Sequence, residues 1–158
     1  MYRLRNPVES RTSVTVTCPK CRHRFSLPVV EERKTPDRKI LIVDDARFFR
    51  ELILDLLAHS QVELTTANCG EDAWSLLQSS DFSLLIIDVN LPDISGLDLI
   101  KRIRQDHRYA TLPILCISGV YRQDDDARQA FMAGANDFMT KSFHPEDFTT
   151  RVDRLLGT

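Results

Sequence analysis

Leu84-Leu85-Ile86-Ile87 is a continuous apolar run that stops at Asp88, and Val89-Asn90-Leu91-Pro92-Asp93-Ile94-Ser95-Gly96 follows it. A short run of this kind, closed by turn residues, predicts a strand buried on both faces and a loop at its end. The same grammar repeats on either side. Upstream, Ile40-Leu-Ile-Val43 stops at Asp44-Asp45. Phe49, Leu52, Ile53, Leu56 and Leu57 then recur at helical spacing up to His59. Val62 to Thr66 suits a strand, and Ala73, Leu76 and Leu77 suit a short helix.

Downstream, Leu97, Ile100 and Ile103 mark a helix, and Ile114 to Ile117 is a strand that stops at Ser118. A helix from about Asp125 to Ala133 closes at Gly134, a residue suited to a C-cap. Asn136 to Met139 is the last strand, stopping before Lys141, and Pro145 opens a final helix to Leu156. Five β-α units with continuous apolar strands imply an α/β fold, a parallel sheet with helices on both faces. The expected architecture is a doubly wound, flavodoxin-like sheet of five strands in the order 2-1-3-4-5 over residues 39–158.

Residues 1–38 read as an extension of different character. Thr12 to Val16 alternates like a short strand, Cys18-Pro-Lys-Cys21 follows, and Phe25-Ser-Leu27-Pro reads as the returning strand of a hairpin. Glu31 to Lys39 is a charged linker. The net charge of −2 conceals an asymmetry. Residues 1–39 hold ten Lys/Arg against four Asp/Glu, and residues 40–158 hold eleven against nineteen. No apolar run reaches the roughly 18–20 residues of a membrane span, and the basic start has no apolar core of a signal peptide behind it. A cytoplasmic protein is expected, and with it cysteines that are not in disulfides.

Strand ends carry the chemistry. Ligands of an open α/β sheet bind outside the carboxyl ends of its strands, and there this chain places Asp44, Asp45, Asp88, Ser118 and Lys141. Three gathered carboxylates demand a counter-charge, and a hard cation such as Mg²⁺ suits them.

With these residues in view, residues 39–157 resemble the response-regulator receiver family. The matching stretches are Ile40-Leu-Ile-Val-Asp-Asp45, Leu85-Ile-Ile-Asp-Val-Asn-Leu-Pro-Asp-Ile-Ser-Gly96, Ile117-Ser118-Gly119 and Gly134-Ala-Asn-Asp-Phe-Met-Thr-Lys141. The resemblance implies a two-component signalling switch, of the stand-alone chemotaxis-regulator kind, rather than an enzyme. Asp88 would take a phosphoryl group from a phosphohistidine on a sensor histidine kinase or phosphotransfer protein. Asp45, Asp88 and the backbone carbonyl of Asn90 would hold Mg²⁺, with Asp44 acting through metal-bound water. Lys141 would neutralise one phosphoryl oxygen and Ser118 would bind another, with Phe138 as the aromatic that turns inward. Output would be the docking of a downstream protein through the last two helices and the fifth strand. Asn90 and Val120 stand where the family tunes phosphate lifetime. Ser142 departs from the family, which has proline after the lysine, so a cis X-Pro bond is not expected there.

Taken singly, each residue has an ordinary structural reading. Asp44 and Asp45 suit a helix N-cap, Asp88 a loop cap, Lys141 a solvated charge and Phe138 the core; their joint placement favours the site. Phe48 and Phe49 read as packing residues. Cys18-Pro-Lys-Cys21 resembles half of a zinc-ribbon knuckle, two ligands of a four-ligand site. A Zn²⁺ shared by two chains in a homodimer, a degenerate remnant and a redox pair all stay open. Haloacid-dehalogenase-type phosphatase chemistry fits less well, because the acidic pair comes first in the chain and Asn90 cannot act as a general acid. A nucleic-acid module would rest on the basic tail alone, without a DNA-reading helix or an output domain after Thr158. Signalling by binding without phosphate would leave the complete acid, hydroxyl and lysine set unexplained.

Overall fold

A computed structural model describes residues 13–17, 24–28, 38–119 and 123–157, the two N-terminal stretches and residues 123–124 by their backbone. The chain divides into two compact units, 1–34 and 35–158. In the first, β1 (Ser13–Thr17) and β2 (Arg24–Pro28) pair antiparallel, with Val16 opposite Phe25. The hairpin expected on either side of the cysteines is therefore present. Cys18 and Cys21 themselves lie outside the described residues, as does Val120.

The second unit is built on β3 (Lys39–Val43), β4 (Glu63–Ala67), β5 (Leu84–Asp88), β6 (Ile114–Ser118) and β7 (Asp137–Thr140). They form one parallel sheet in the order β4-β3-β5-β6-β7, the 2-1-3-4-5 order expected. Its helices are α1 (Arg47–Leu57), α2 (Gly70–Ser79), α3 (Gly96–Gln105), α4 (Gln123–Ala133) and α5 (Pro145–Leu156).

Strand side chains alternate between the faces, so each apolar run feeds two cores. Leu41, Val43, Leu85, Ile87 and Cys116 pack with Ala73 and Leu77 of α2, Ile100 and Ile103 of α3, and Ala130 of α4. Ile40, Ile42, Ile86 and Ile117 pack with Phe49 and Ile53 of α1 and Phe148 and Val152 of α5. Each fully buried Leu or Ile side chain contributes about 1.5–3 kcal/mol, and Ile40, Leu41, Ile42, Leu85, Ile87 and Ile114 are among those fully buried. This double burial holds the strands rigidly enough to align their ends.

Several boundaries differ from the sequence expectation. Helix α1 ends at Leu57 instead of His59, α4 begins at Gln123, and β4 runs one residue later than expected. Asn136 stands outside β7 because its side-chain oxygen accepts the Ile114 N–H at 2.9 Å. A 3₁₀ turn, His107–Tyr109, was not expected; Asp106 caps it by accepting the Arg108 N–H. Phe48 corrects another expectation. Consecutive helical residues diverge in direction, so Phe49 is buried (7% exposed) while Phe48 is 78% exposed.

Two arrangements secure the α2–α3 side. Arg104 donates to Gly134 O (2.9 Å), Tyr109 O (2.7 Å) and Asn136 Oδ1 (2.8 Å). Gly134, at φ 111°, needs its glycine twice over, since a Cβ would also meet Arg104 Cγ at 2.7 Å. Trp74 meets Tyr109 edge to face, and the Arg102 guanidinium lies 4.3 Å from the Trp74 ring while pairing with Glu71 at 2.9 Å.

Candidate functional site

The parallel register brings the strand ends together. Across β5 and β6, Asp88 is level with Ile117, and across β6 and β7, Ser118 is level with Thr140. The Lys141 N–H donates to Ser118 O at 2.8 Å, and Val89 N–H donates to Ile117 O at 3.0 Å. On the other flank Asp44 N–H donates to Ala67 O at 3.2 Å. Five residues chosen from sequence thus share one edge of the sheet: Asp44, Asp45, Asp88, Ser118 and Lys141.

Asp44, Asp88 and Ser118 are 2%, 4% and 1% exposed, while Asp45 faces solvent. Carboxylate oxygens of Asp44, Asp45 and Asp88 all lie within 4.8 Å of one another. Lys141 Nζ stands 2.7 Å from Asp88 Oδ2 and 2.7 Å from Asp44 Oδ2. The lysine is therefore no solvated surface charge. One ammonium is shared by two buried carboxylates, with a third carboxylate alongside.

The electrostatics follow from this crowding. Burial raises the Asp44 carboxyl above its ordinary value, against the opposing pull of Lys141 and of the Ala46 N–H. For Lys141 burial works downward, but hydrogen bonds to Asp44 and Asp88 carry it above its ordinary value. Asp44 Oδ1 accepts the Ala46 N–H at 2.8 Å, a local turn; the N-cap of α1 is Ala46, which has no side-chain cap, so the capping role also read for Asp44 is not the one it takes. Asp44 Oδ2 is buried, and among the described residues Lys141 Nζ, at 2.7 Å, is its one partner. A buried carboxylate oxygen left in that condition favours a further cation. The oxygen-only donor set is that of Mg²⁺ rather than of a softer metal.

Asn90 is held at the pocket by its backbone, its N–H donating to Asp88 Oδ1 at 3.2 Å. Phe138 is half-buried against the core that contains α2, α3 and α4. The Lys141–Ser142 bond is not cis, and no described peptide bond is.

Two supporting residues were missed in the sequence. Arg50 Nη1 donates to the carbonyls of Asp44 (2.6 Å) and Asp45 (3.0 Å), clamping the acidic turn from the next turn of α1. Its position, six residues after Asp44 at the end of a helical turn, was the available signal. Asp93, from the loop after β5, accepts the N–H groups of Gly70 (2.8 Å) and Glu71 (2.9 Å) at the start of α2. No local spacing could have revealed a cap 23 residues away. Gly96 has a local reason: a Cβ there would lie 2.0 Å from Asp88 O.

A doubly wound sheet with an acidic pocket bridged by a lysine defines a class of signalling switch. Residues 40–153 match the family of the response regulator receiver domain. The chain is 34% identical over 122 residues to Chemotaxis protein CheY1 of Helicobacter pylori, covering 76% of this chain and 98% of that protein. Among solved structures, the chemotaxis response regulator CheY4 of Vibrio cholerae is 28% identical, with a TM-score of 0.69, covering 75% of this chain and 98% of that one. The response regulator TrrA of Thermotoga maritima, in complex with Mg²⁺-BeF, is 30% identical with a TM-score of 0.66, covering 75% and 98%. The chain belongs to the response regulator receiver family, the phosphorylation-switch domain of two-component systems.

Proposed function

We propose that Asp88 is the phosphoacceptor of this receiver. The carrying observation is a buried Asp88 carboxylate held at 2.7 Å by Lys141 inside a cluster of three carboxylates. An Asp88 carboxylate oxygen forms a P–O bond as the P–N bond of a donor phosphohistidine breaks. The histidine leaves as neutral imidazole, with a proton settling on the released nitrogen. The donor is a sensor histidine kinase or phosphotransfer protein. Asp45, Asp88 and the Asn90 carbonyl would hold Mg²⁺, with Asp44 through metal-bound water; when bound, the ion neutralises charge on the phosphoryl oxygens. Lys141 exchanges a carboxylate partner for a phosphoryl oxygen, and the Ser118 hydroxyl donates to another. Phe138 follows Ser118 inward.

The reading extends to the rest of the chain. Residues 39–158 act as a cytoplasmic switch, catalysing only its own phosphorylation and dephosphorylation. It signals by docking a downstream protein at α4, β7 and α5. A cavity of about 290 Å³ lies on the β7 and α5 part of that face, between Phe138, Phe143, His144 and Arg151. In the extension, residues 18–23 join β1 to β2, the place of a zinc knuckle in a hairpin. Two chains, each giving Cys18 and Cys21, would complete a Cys₄ site for Zn²⁺ in a homodimer. Native mass spectrometry should then give one zinc per two chains, and metal-free monomers at physiological zinc reject that part.

The central test is intact mass after incubation with Mg²⁺ and acetyl phosphate. The wild type should gain one phosphoryl group, with none in excess chelator or in Asp88→Asn. A labelled Asp88→Asn chain, with phosphate on Asp44 or Asp45, would overturn the assignment.

A further inference from the structure

Lys141 must aim its ammonium into the pocket from a loop without the family's proline. Its backbone is fixed by the hydrogen bond to Ser118 O, yet four side-chain torsions separate that anchor from Nζ. Two of the contacts that hold Nζ are to Asp44 and Asp88, carboxylates that a metal or a phosphoryl group would engage. The third is different. Nζ lies 4.7 Å from the centroid of the Phe49 ring, within the range at which an ammonium is drawn to an aromatic face.

That ring is itself held firmly. Phe143, two residues beyond Lys141, meets Phe49 edge to face at 5.9 Å, and it stacks on the fully buried Phe148 at 5.0 Å. Three aromatics from α1, the β7–α5 loop and α5 thus form a ladder whose top rung lies under the ammonium. What the ring adds is a negative face toward a cation.

We propose that Phe49 is a positioning residue for Lys141, keeping its ammonium directed into the acidic pocket when the carboxylates change partners. This rests on the phosphoacceptor reading of Asp88 for its functional consequence, but not for its geometry. The ladder also ties the β7–α5 loop to α1, so the lysine moves with the loop only if the rings move too.

The test is progressive fluorination of Phe49 (4-fluoro, 3,5-difluoro, pentafluoro), which weakens the negative ring face while nearly preserving volume. In the metal-free protein, the order of the Lys141 ε-methylene, read by carbon relaxation, should fall step by step. Phosphorylation by acetyl phosphate should slow in parallel, by about three- to fivefold at full fluorination. Phe49→Tyr should retain both properties, and the thermal midpoint across the series should stay level. Unchanged lysine order across the series overturns the proposal, whether or not the chain takes phosphate. A wild type that never takes phosphate overturns the Asp88 reading instead, and the relaxation series still decides Phe49.

Discussion

Asp93 caps a helix that precedes it in the chain: its two carboxylate oxygens accept the N–H groups of Gly70 and Glu71 at 2.8 and 2.9 Å. The residue preceding α2, Cys69, makes no side-chain cap, so the loop after β5 supplies the oxygens that a local Ser or Asp ordinarily provides. The N–H of Gly70, followed by that of Glu71, holds the Asp93 carboxyl below its ordinary value of 3.8. Its native pKa lies below its unfolded one, so its stabilising effect is complete above about pH 5 and disappears as pH falls through the native value. Asp93→Ala should therefore lower the thermal midpoint at pH 7. That gap should narrow as the pH falls below the ordinary value of 3.8, and a gap independent of pH would contradict the cap.

Lys141→Ala should separate metal binding from phosphate binding. The ammonium now occupies Asp44 and Asp88, so its removal should leave Mg²⁺ affinity unchanged or higher in a calorimetric titration. Phosphorylation from acetyl phosphate should fall by about tenfold or more, for want of a charged donor to the phosphoryl oxygens. Loss of Mg²⁺ binding in this variant would mean that the lysine orders the carboxylates rather than competing for them.

Gly96→Ala and Gly70→Ala should behave differently although both glycines are crowded. A Cβ on Gly96 meets the backbone oxygen of Asp88 at 2.0 Å, which only a shift of the β5 end can relieve. A loss of about 3 kcal/mol or more in denaturant unfolding is expected, with weakened Mg²⁺ binding. At Gly70 the obstacle is Ile94 Cγ2 at 2.2 Å, the end of a side chain. Ile94→Ala should therefore rescue Gly70→Ala but not Gly96→Ala in a double-mutant cycle.

Arg104→Ala should cost about 1–3 kcal/mol, because it removes the side-chain donor to the Gly134 carbonyl and one of the two donors to the Tyr109 carbonyl, which keeps the Leu112 N–H. Arg104→Lys should recover little, since one ammonium cannot reproduce three contacts made by separate guanidinium nitrogens. Full stability in the lysine variant would show that charge alone suffices.

Cys116 should resist alkylation in the native protein. Burial, reinforced by Asp88, pushes its thiol up to about 12, so almost no thiolate exists at pH 8. Peptide mapping should find Cys116 modified only as fast as the chain unfolds globally. Rapid native labelling would mean that β6 opens locally.

The site was legible because its residues sit where apolar runs stop: Asp44, Asp88 and Ser118 each close a run of buried apolar residues, and Lys141 follows the shorter, alternating Asp137–Thr140 strand. The sheet order followed from the same runs. What escaped were contacts between segments far apart in sequence. Asp93 on Gly70, Arg104 on Gly134 and Lys141 on Phe49 are side chains crossing to another element, and periodicity carries no signal for them. Phe48 was misjudged for a related reason. Two adjacent phenylalanines look alike in composition, but α1 presents only one to the sheet.

The single tryptophan of the chain gives the molecule an optical consequence. Trp74 lies one helical turn beyond the amides gripped by Asp93, and its ring is covered by the Arg102 guanidinium, which is tethered to Glu71. A rearrangement of the loop after Asp88 that displaces Asp93 would act on the start of α2 and, through Glu71, on the Arg102 tether above the indole. Tryptophan fluorescence, sensitive to a cation over the ring, would then report without a label on displacement of the Asp93 loop.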